Sequence, residues 1–185
     1  HGLLRRQRQM CIRDSHFTGI NYNQTVHQQD QIQYIKNIKS GLDSSTSNIL
    51  FKSAEFFLEE ISWMKGKLFK YKSEYLEAAR TGRGTSDRVT KTDKEVIWEI
   101  YEKYNQKLKD RGQVDFDDYA ILALRKIQND SNFIPPYTHI IIDEAQDLNK
   151  AQILTISSLV DKETNSLTII ADAAPVSYTH LTLPT

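Results

Sequence analysis

A chain of 185 residues with 39% hydrophobic and 26% charged side chains has the size and balance of one domain with a core, or of a core domain carrying a small insertion. Its 24 basic and 24 acidic side chains cancel, which excludes a protein that coats nucleic acid through bulk charge, so any contact with DNA has to be local. No stretch approaches the roughly 18 consecutive apolar residues of a membrane span, and the single cysteine, Cys11, excludes an intrachain disulfide framework and makes a reducing, cytoplasmic location the default.

Residues 1–15 hold four arginines and no sustained helical or strand periodicity. The string Arg6-Gln-Arg-Gln-Met-Cys-Ile-Arg-Asp-Ser15 and the other end of the chain, Val176 to Thr185, both resemble translated sequencing adapters. The expectation is therefore an internal piece of a longer protein running from about His16 to about Ala174, with residues 1–15 an artefactual or disordered arm and 175–185 an artefactual tail.

From residue 28 to 39, Ile32, Ile35 and Ile38 predict a short helix ended by Gly41, and the polar run 43–48 predicts a loop. Over 53–67, Phe57, Ile61, Met64 and Leu68 recur at helical spacing on one face. Trp63 falls off that stripe and either packs elsewhere or faces a partner. Between 65 and 91 the cations Lys65, Lys67, Lys70, Lys72, Arg80, Arg83, Arg88 and Lys91 outnumber Glu74, Glu77 and Asp87. Inside this stretch the loop Gly82-Arg-Gly-Thr85 can bring backbone N–H groups and Arg83 to a phosphate, which makes the region the local candidate for DNA, against the alternative of a solvated charged face. Lys67, Arg80, Arg83 and Arg88 are the DNA-binding candidates. The loop does not fit Gly-x-x-x-x-Gly-Lys-Ser/Thr and is no P-loop.

Thr92-Asp-Lys-Glu95 has capping-box spacing ahead of a stripe formed by Val96, Ile97, Ile100, Tyr101, Tyr104 and Leu108, which Gly112 ends. Asp115 is placed to cap a further helix carrying Phe116, Tyr119, Ala120, Ala123, Leu124 and Ile127, and a capped amphipathic helix explains Asp117 and Asp118 without a catalytic role. Pro135 and Pro136 then break the chain before Ile140-Ile-Ile142, a β-branched run that suits a strand buried on both faces and ends abruptly at Asp143 and Glu144. Asn149-Lys-Ala-Gln152 caps a helix bearing Ile153, Ile156 and Val160, and Leu167 to Ala171 reads as a second buried strand ending at Asp172. The expectation is that strands 138–143 and 167–172 lie parallel and adjacent, joined by helix 149–160 as a right-handed crossover. In open α/β sheets ligands sit beyond the carboxyl ends of the strands, so Asp143 and Glu144 would stand where a nucleotide and its Mg²⁺ are handled.

Asp143-Glu-Ala-Gln-Asp147, preceded by apolar residues, resembles the Walker B motif of superfamily 1 helicases of the UvrD/Rep type. Gly112-Gln-Val-Asp-Phe-Asp-Asp118 resembles the segment by which that family leads back into its motor core after a helical insertion. The end of the second strand resembles the family's motif III, except that Pro175 stands where a Gln is usual. The resemblance implies an α/β fold: part of a three-layer P-loop NTPase (RecA-like) motor subdomain with a mainly helical insertion. Residues 16–50 would lead into the core, 51–112 form the insertion, and 113–174 carry Walker B and part of motif III. It further implies an ATP-dependent 3′-to-5′ DNA helicase or translocase using ATP and Mg²⁺ on single-stranded DNA or a single/double-strand junction. In it Asp143 would hold the metal, Glu144 would act on the attacking water and Gln146 would sense the γ-phosphate. No Walker A loop is present in these 185 residues, so the piece alone is expected to be inactive. Two other classes remain open at this point: a metal-dependent nuclease using Asp143, Glu144 and Asp172, and a non-catalytic DNA-binding helical module.

Overall fold

In the computed structural model, residues 19–43, 45, 47–79 and 89–171 are described. The two adapter-like ends, the Gly82 to Thr85 loop with Arg80, Arg83 and Arg88, and the motif III positions Asp172 and Pro175 lie outside them.

Among the described residues six α-helices precede, separate or flank two short strands. Helix α1 is Gln28–Ser40, α2 Ala54–Lys67, α3 Lys72–Glu77, α4 Lys91–Asp110, α5 Phe116–Asn129 and α6 Lys150–Ser157; β1 is His139–Ile142 and β2 Ser166–Ile169. The expected α1 stripe holds, with Ile35 fully buried and Ile32 and Ile38 packed against the core. Ser53 caps α2, its hydroxyl accepting from the Phe56 N–H at 3.3 Å, and Phe57, Ile61 and Met64 are buried as their spacing predicts. Leu68 departs from the stripe because α2 stops there: its φ of 62° is left-handed and closes the last turn. The polar run before α2 is only partly loop, since Ser47 caps a 3-10 turn over Asn48–Phe51.

Helix α3 is a finding that the charge count of this region concealed. The Glu74 carboxylate accepts from the backbone N–H of Lys70 at 2.6 Å and of Tyr71 at 3.1 Å, which starts the helix. Lys94 ends it, donating to the carbonyls of Tyr75, Leu76 and Ala78 at 3.3, 2.9 and 2.8 Å, a cation on the negative end of the helix. The capping box of α4 lies two residues earlier than the sequence suggests: Thr90 and Asp93, not Thr92 and Glu95, exchange the side-chain and backbone bonds. Asp93 also accepts from the buried Ser47, a tertiary partner that no local spacing reveals. At the other end of α4, Gly112 at φ 61° lets Gln113 N–H reach the Leu108 carbonyl at 2.9 Å and its own N–H reach Lys109 at 3.0 Å, the closing turn a glycine permits.

Helices α1, α2 and α4 enclose one core in which Ile35, Phe57, Met64, Ile97, Ile100 and Tyr104 have no exposed surface. Tyr75 of α3 joins it through an aromatic chain, stacked on Trp98 at 6.0 Å with Trp63 and Phe69 each about 6.1 Å away. Trp63 is thus part of the packing. Helices α5 and α6 pack on each other and on α2, and the Thr155 hydroxyl of α6 donates to the Ala120 carbonyl of α5 at 2.9 Å. A Cβ on Gly66 of α2 would lie 2.9 Å from Asn149 Cβ, so the bare backbone lets the start of α6 sit directly on α2.

Strands β1 and β2 pair in parallel, with His139 opposite Ser166 and Ile142 opposite Ile169. The parallel, adjacent arrangement with an intervening helix agrees with expectation; burial on both faces does not. Ile142 is 7% exposed but Ile141 is 71% exposed and Ile170, just past β2, 51%. The exposure alternates with the strand period because nothing among the described residues covers the Ile141 face.

One buried ion pair joins the layers. Lys65 Nζ donates to Asp115 Oδ2 and Asp118 Oδ1, each at 2.7 Å, and Tyr104 donates its hydroxyl to Asp115 at 3.1 Å. Burial alone would lower the Lys65 pKa, but the two carboxylates outweigh it and push the value up to about 12. The pair's contribution to stability is present below the ordinary lysine value and is lost only as pH rises through about 12, so it is intact at neutral pH. Lys65→Met leaves two carboxylates buried without their cation, and we expect a loss of about 3–5 kcal/mol in urea unfolding. Lys103→Met, which removes an exposed pair with Glu99, should change stability by no more than about 0.5 kcal/mol.

Candidate functional site

The carboxyl end of β1 is stitched to the end of β2 before it turns away. Ile170 N–H donates to the Ile142 carbonyl at 2.7 Å and Ala145 N–H donates to the Ile170 carbonyl at 2.9 Å, so residues 143 and 144 form a bend between two fixed points. Asp143 Oδ1 accepts from the Glu144 N–H at 3.0 Å, and both side chains are exposed. Glu144 sits at φ 56° and ψ 42°, a left-handed conformation uncommon for a residue with a side chain. Behind it Ala145–Asp147 form one 3-10 turn, closed by the Asp147 N–H on the Glu144 carbonyl at 3.1 Å. Gln146 Nε2 donates to Glu144 Oε2, so the amide and the carboxylate are held as a pair. Asn149, and not Asp147, caps α6: its Oδ1 accepts from Gln152 N–H at 3.0 Å and Gln152 returns a bond at 2.9 Å.

The structure thus brings Asp143, Glu144 and Gln146 together on one solvent-facing bend at the C-terminal end of a parallel strand. Two adjacent carboxylates supply hard oxygen donors of the kind Mg²⁺ accepts, and a cation that keeps waters and phosphate oxygens needs few protein ligands. Among the described residues no group of three or more His, Cys, Asp or Glu side chains is placed to hold a metal. The nuclease set includes Asp172, outside the described residues.

Lys67 is exposed at the end of α2, as a DNA contact requires. Lys65 is corrected: counted with the surface cations by sequence, it is buried against Asp115 and Asp118. The overlooked signal is its place four residues after Ile61, on the buried face of α2. Asp115 caps α5 as expected, and Asp118 completes a capping box beyond that expectation, each carboxylate accepting the other's backbone N–H at 3.1 and 3.0 Å. Burial raises Asp118 above the usual carboxylate range; Lys65 pulls it down and Asp115 adds to the rise, because two carboxylates share one ammonium.

The chain belongs to the UvrD/REP helicase N-terminal domain family, a family of DNA helicases, whose model matches residues 4–178. It is 34% identical over 87 residues to a subunit of the ATP-dependent helicase/nuclease of Syntrophomonas wolfei, a match covering 45% of this chain and 7% of that protein. It is 32% identical over 88 residues to the like-named protein of Clostridium acetobutylicum, covering 41% and 7%. A third match, 32% identical over 73 residues, is YjcD of Bacillus subtilis, named as a candidate ATP-dependent DNA helicase, covering 37% and 10%. The chain thus spans a tenth or less of the length of these relatives. No helix among the described residues is long and apolar enough to cross a membrane.

Asp117 gives the segment a measurable pH signature. Its burial first, and the charge of Asp115 second, push its pKa up to about 6, with a Ser62 hydrogen bond and Lys65 opposing. A carboxyl whose folded value lies above its unfolded value binds more protons in the folded chain, so stability falls as pH rises from about 4 to 6 and the penalty is full above that. Asp117→Asn should raise stability at pH 7 by roughly 1–3 kcal/mol and remove that slope between pH 4 and 6, read by urea unfolding across the range.

Proposed function

We propose that this chain is a piece of the N-terminal motor domain of an ATP-dependent DNA helicase or translocase moving 3′ to 5′, with Asp143 to Asp147 as its Walker B segment. The observation that carries the reading is the exposed Asp143 and Glu144 pair on the bend beyond a parallel strand, in a chain of the UvrD/REP family. Residues 16–50 are read as the lead-in to the motor core, 51–112 as the helical insertion and 113–174 as its continuation, acting in the cytoplasm. ATP and Mg²⁺, when bound, supply the phosphoryl group and neutralise charge on its oxygens. Asp143 would hold the metal, directly or through water. Glu144, on its left-handed bend, would orient the attacking water and take its proton. Gln146, already bonded to Glu144, would link that carboxylate to the phosphate. Single-stranded DNA or a single/double-strand junction is the substrate, with Lys67, Arg80, Arg83 and Arg88 as phosphate contacts.

Phosphoryl transfer depends mainly on positioning and charge stabilisation, and the 185 residues hold no Gly-x-x-x-x-Gly-Lys loop to supply them. The purified chain should therefore show no DNA-stimulated ATP hydrolysis. In the full-length protein Glu144→Gln should keep nucleotide binding and lower turnover by about 10²–10⁴-fold, since it preserves shape and removes the base. Hydrolysis at the unmodified rate by that variant sinks the Walker B assignment.

A further inference from the structure

The α2 to α3 turn carries an exposed aromatic ring among cations on a rigid support, and the fold brings a further cation to it from α6. Tyr71 is 67% exposed and follows the exposed Lys70. Its turn is fixed from both sides: Phe69 packs edge-on against Trp63 at 5.4 Å, and Glu74 holds the N–H groups of Lys70 and Tyr71. The close approach of Gly66 to Asn149 sets the start of α6 against the end of α2, with Lys67 the next residue after Gly66 and Lys150 the next after Asn149, both exposed. Those N–H bonds hold the Glu74 carboxylate below its ordinary range, and the charges of Lys70 and Lys150 add to the effect, so both cations lie within electrostatic reach of one acid. Lys72 is left out of this group, since it lines a shallow cleft together with Glu95, Glu99 and Glu102 of α4.

From this arrangement we infer that Tyr71, Lys67, Lys70 and Lys150 form a binding surface for single-stranded DNA, with Tyr71 as the stacking platform for one base and the lysines as phosphate contacts. A base presents its face only when unstacked, so a lone exposed ring beside cations favours a single strand over a duplex. The inference rests on the DNA-motor reading and deepens it. Lys150 lies three residues beyond Asp147, so the same short segment carries the Walker B bend at one end and a phosphate contact at the other.

The test is fluorescence anisotropy of the 185-residue chain with a labelled oligothymidylate over a range of salt. Tyr71→Ala should weaken binding about five- to hundredfold with the salt slope unchanged, and Tyr71→Trp should retain it. Replacing Lys67, Lys70 and Lys150 together by alanine should lower the log–log salt slope by about 2, close to 0.7 for each lost single-strand contact. All four side chains are exposed, so the thermal midpoint should not move, and a shift shared by Tyr71→Ala and Tyr71→Trp would assign the ring to folding instead. Binding that persists unchanged in these variants overturns the surface while leaving DNA binding in place. Duplex bound as tightly as the single strand, or heparin competing as well as oligothymidylate against both the chain and Tyr71→Ala, overturns the stacking role. A chain that binds no oligonucleotide at low salt also overturns the surface, whereas the motor reading stands or falls on Glu144→Gln in the full-length protein.

Discussion

The ammonium of Lys65 is the constraint on which the arrangement of helices depends. It leaves α2 in the last turn, passes over the Tyr104 ring of α4 at 5.5 Å, and ends between the two carboxylates that cap α5. One charge therefore fixes the relative rotation of three helices. The caps of α5 are not independent of it, since Asp115 and Asp118 each serve both a backbone N–H and the lysine. A buried pair of this kind adds little net stability over an apolar replacement of equal volume, but it penalises every packing in which either partner is left alone. Its value to this chain is specificity of arrangement.

Local devices were legible in the sequence and tertiary ones were not. Asp115 and Asn149 announce their helices because an N-cap works through bonds spanning three residues. The stripes on α1, α2 and α4 are legible for the same reason, as period alone assigns their faces. The failures share a different cause. Thr90 wins over Thr92 as the cap of α4 because Asp93 is also bonded to Ser47, 46 residues earlier. Lys65 reads as a surface cation until its acids arrive from 50 and 53 residues further on. The Ile140 to Ile142 run gives a strand correctly and its environment wrongly, because burial is set by what packs over a face and not by the residues on it.

At the candidate site, the residue types and their place after a strand were legible, whereas the bend was not. No propensity argument puts a glutamate in the left-handed region, and only the two bonds to Ile170 and the turn over Ala145–Asp147 account for the path. The pairing of Gln146 with Glu144 belongs to that path, since Glu144 stands in its left-handed conformation at the N-cap of the 3-10 turn that carries Gln146.

Under the proposed Walker B role, the left-handed Glu144 would place stability and activity in opposition at a single position. Glycine there would relieve a backbone conformation that disfavours any residue bearing a Cβ, an advantage of order 1 kcal/mol. Selection for folding alone would therefore drift toward glycine or asparagine at this site. On the Walker B proposal the carboxylate is what a glutamate there would supply in return for that strain, and libraries screened only for thermal tolerance would be expected to discard it first.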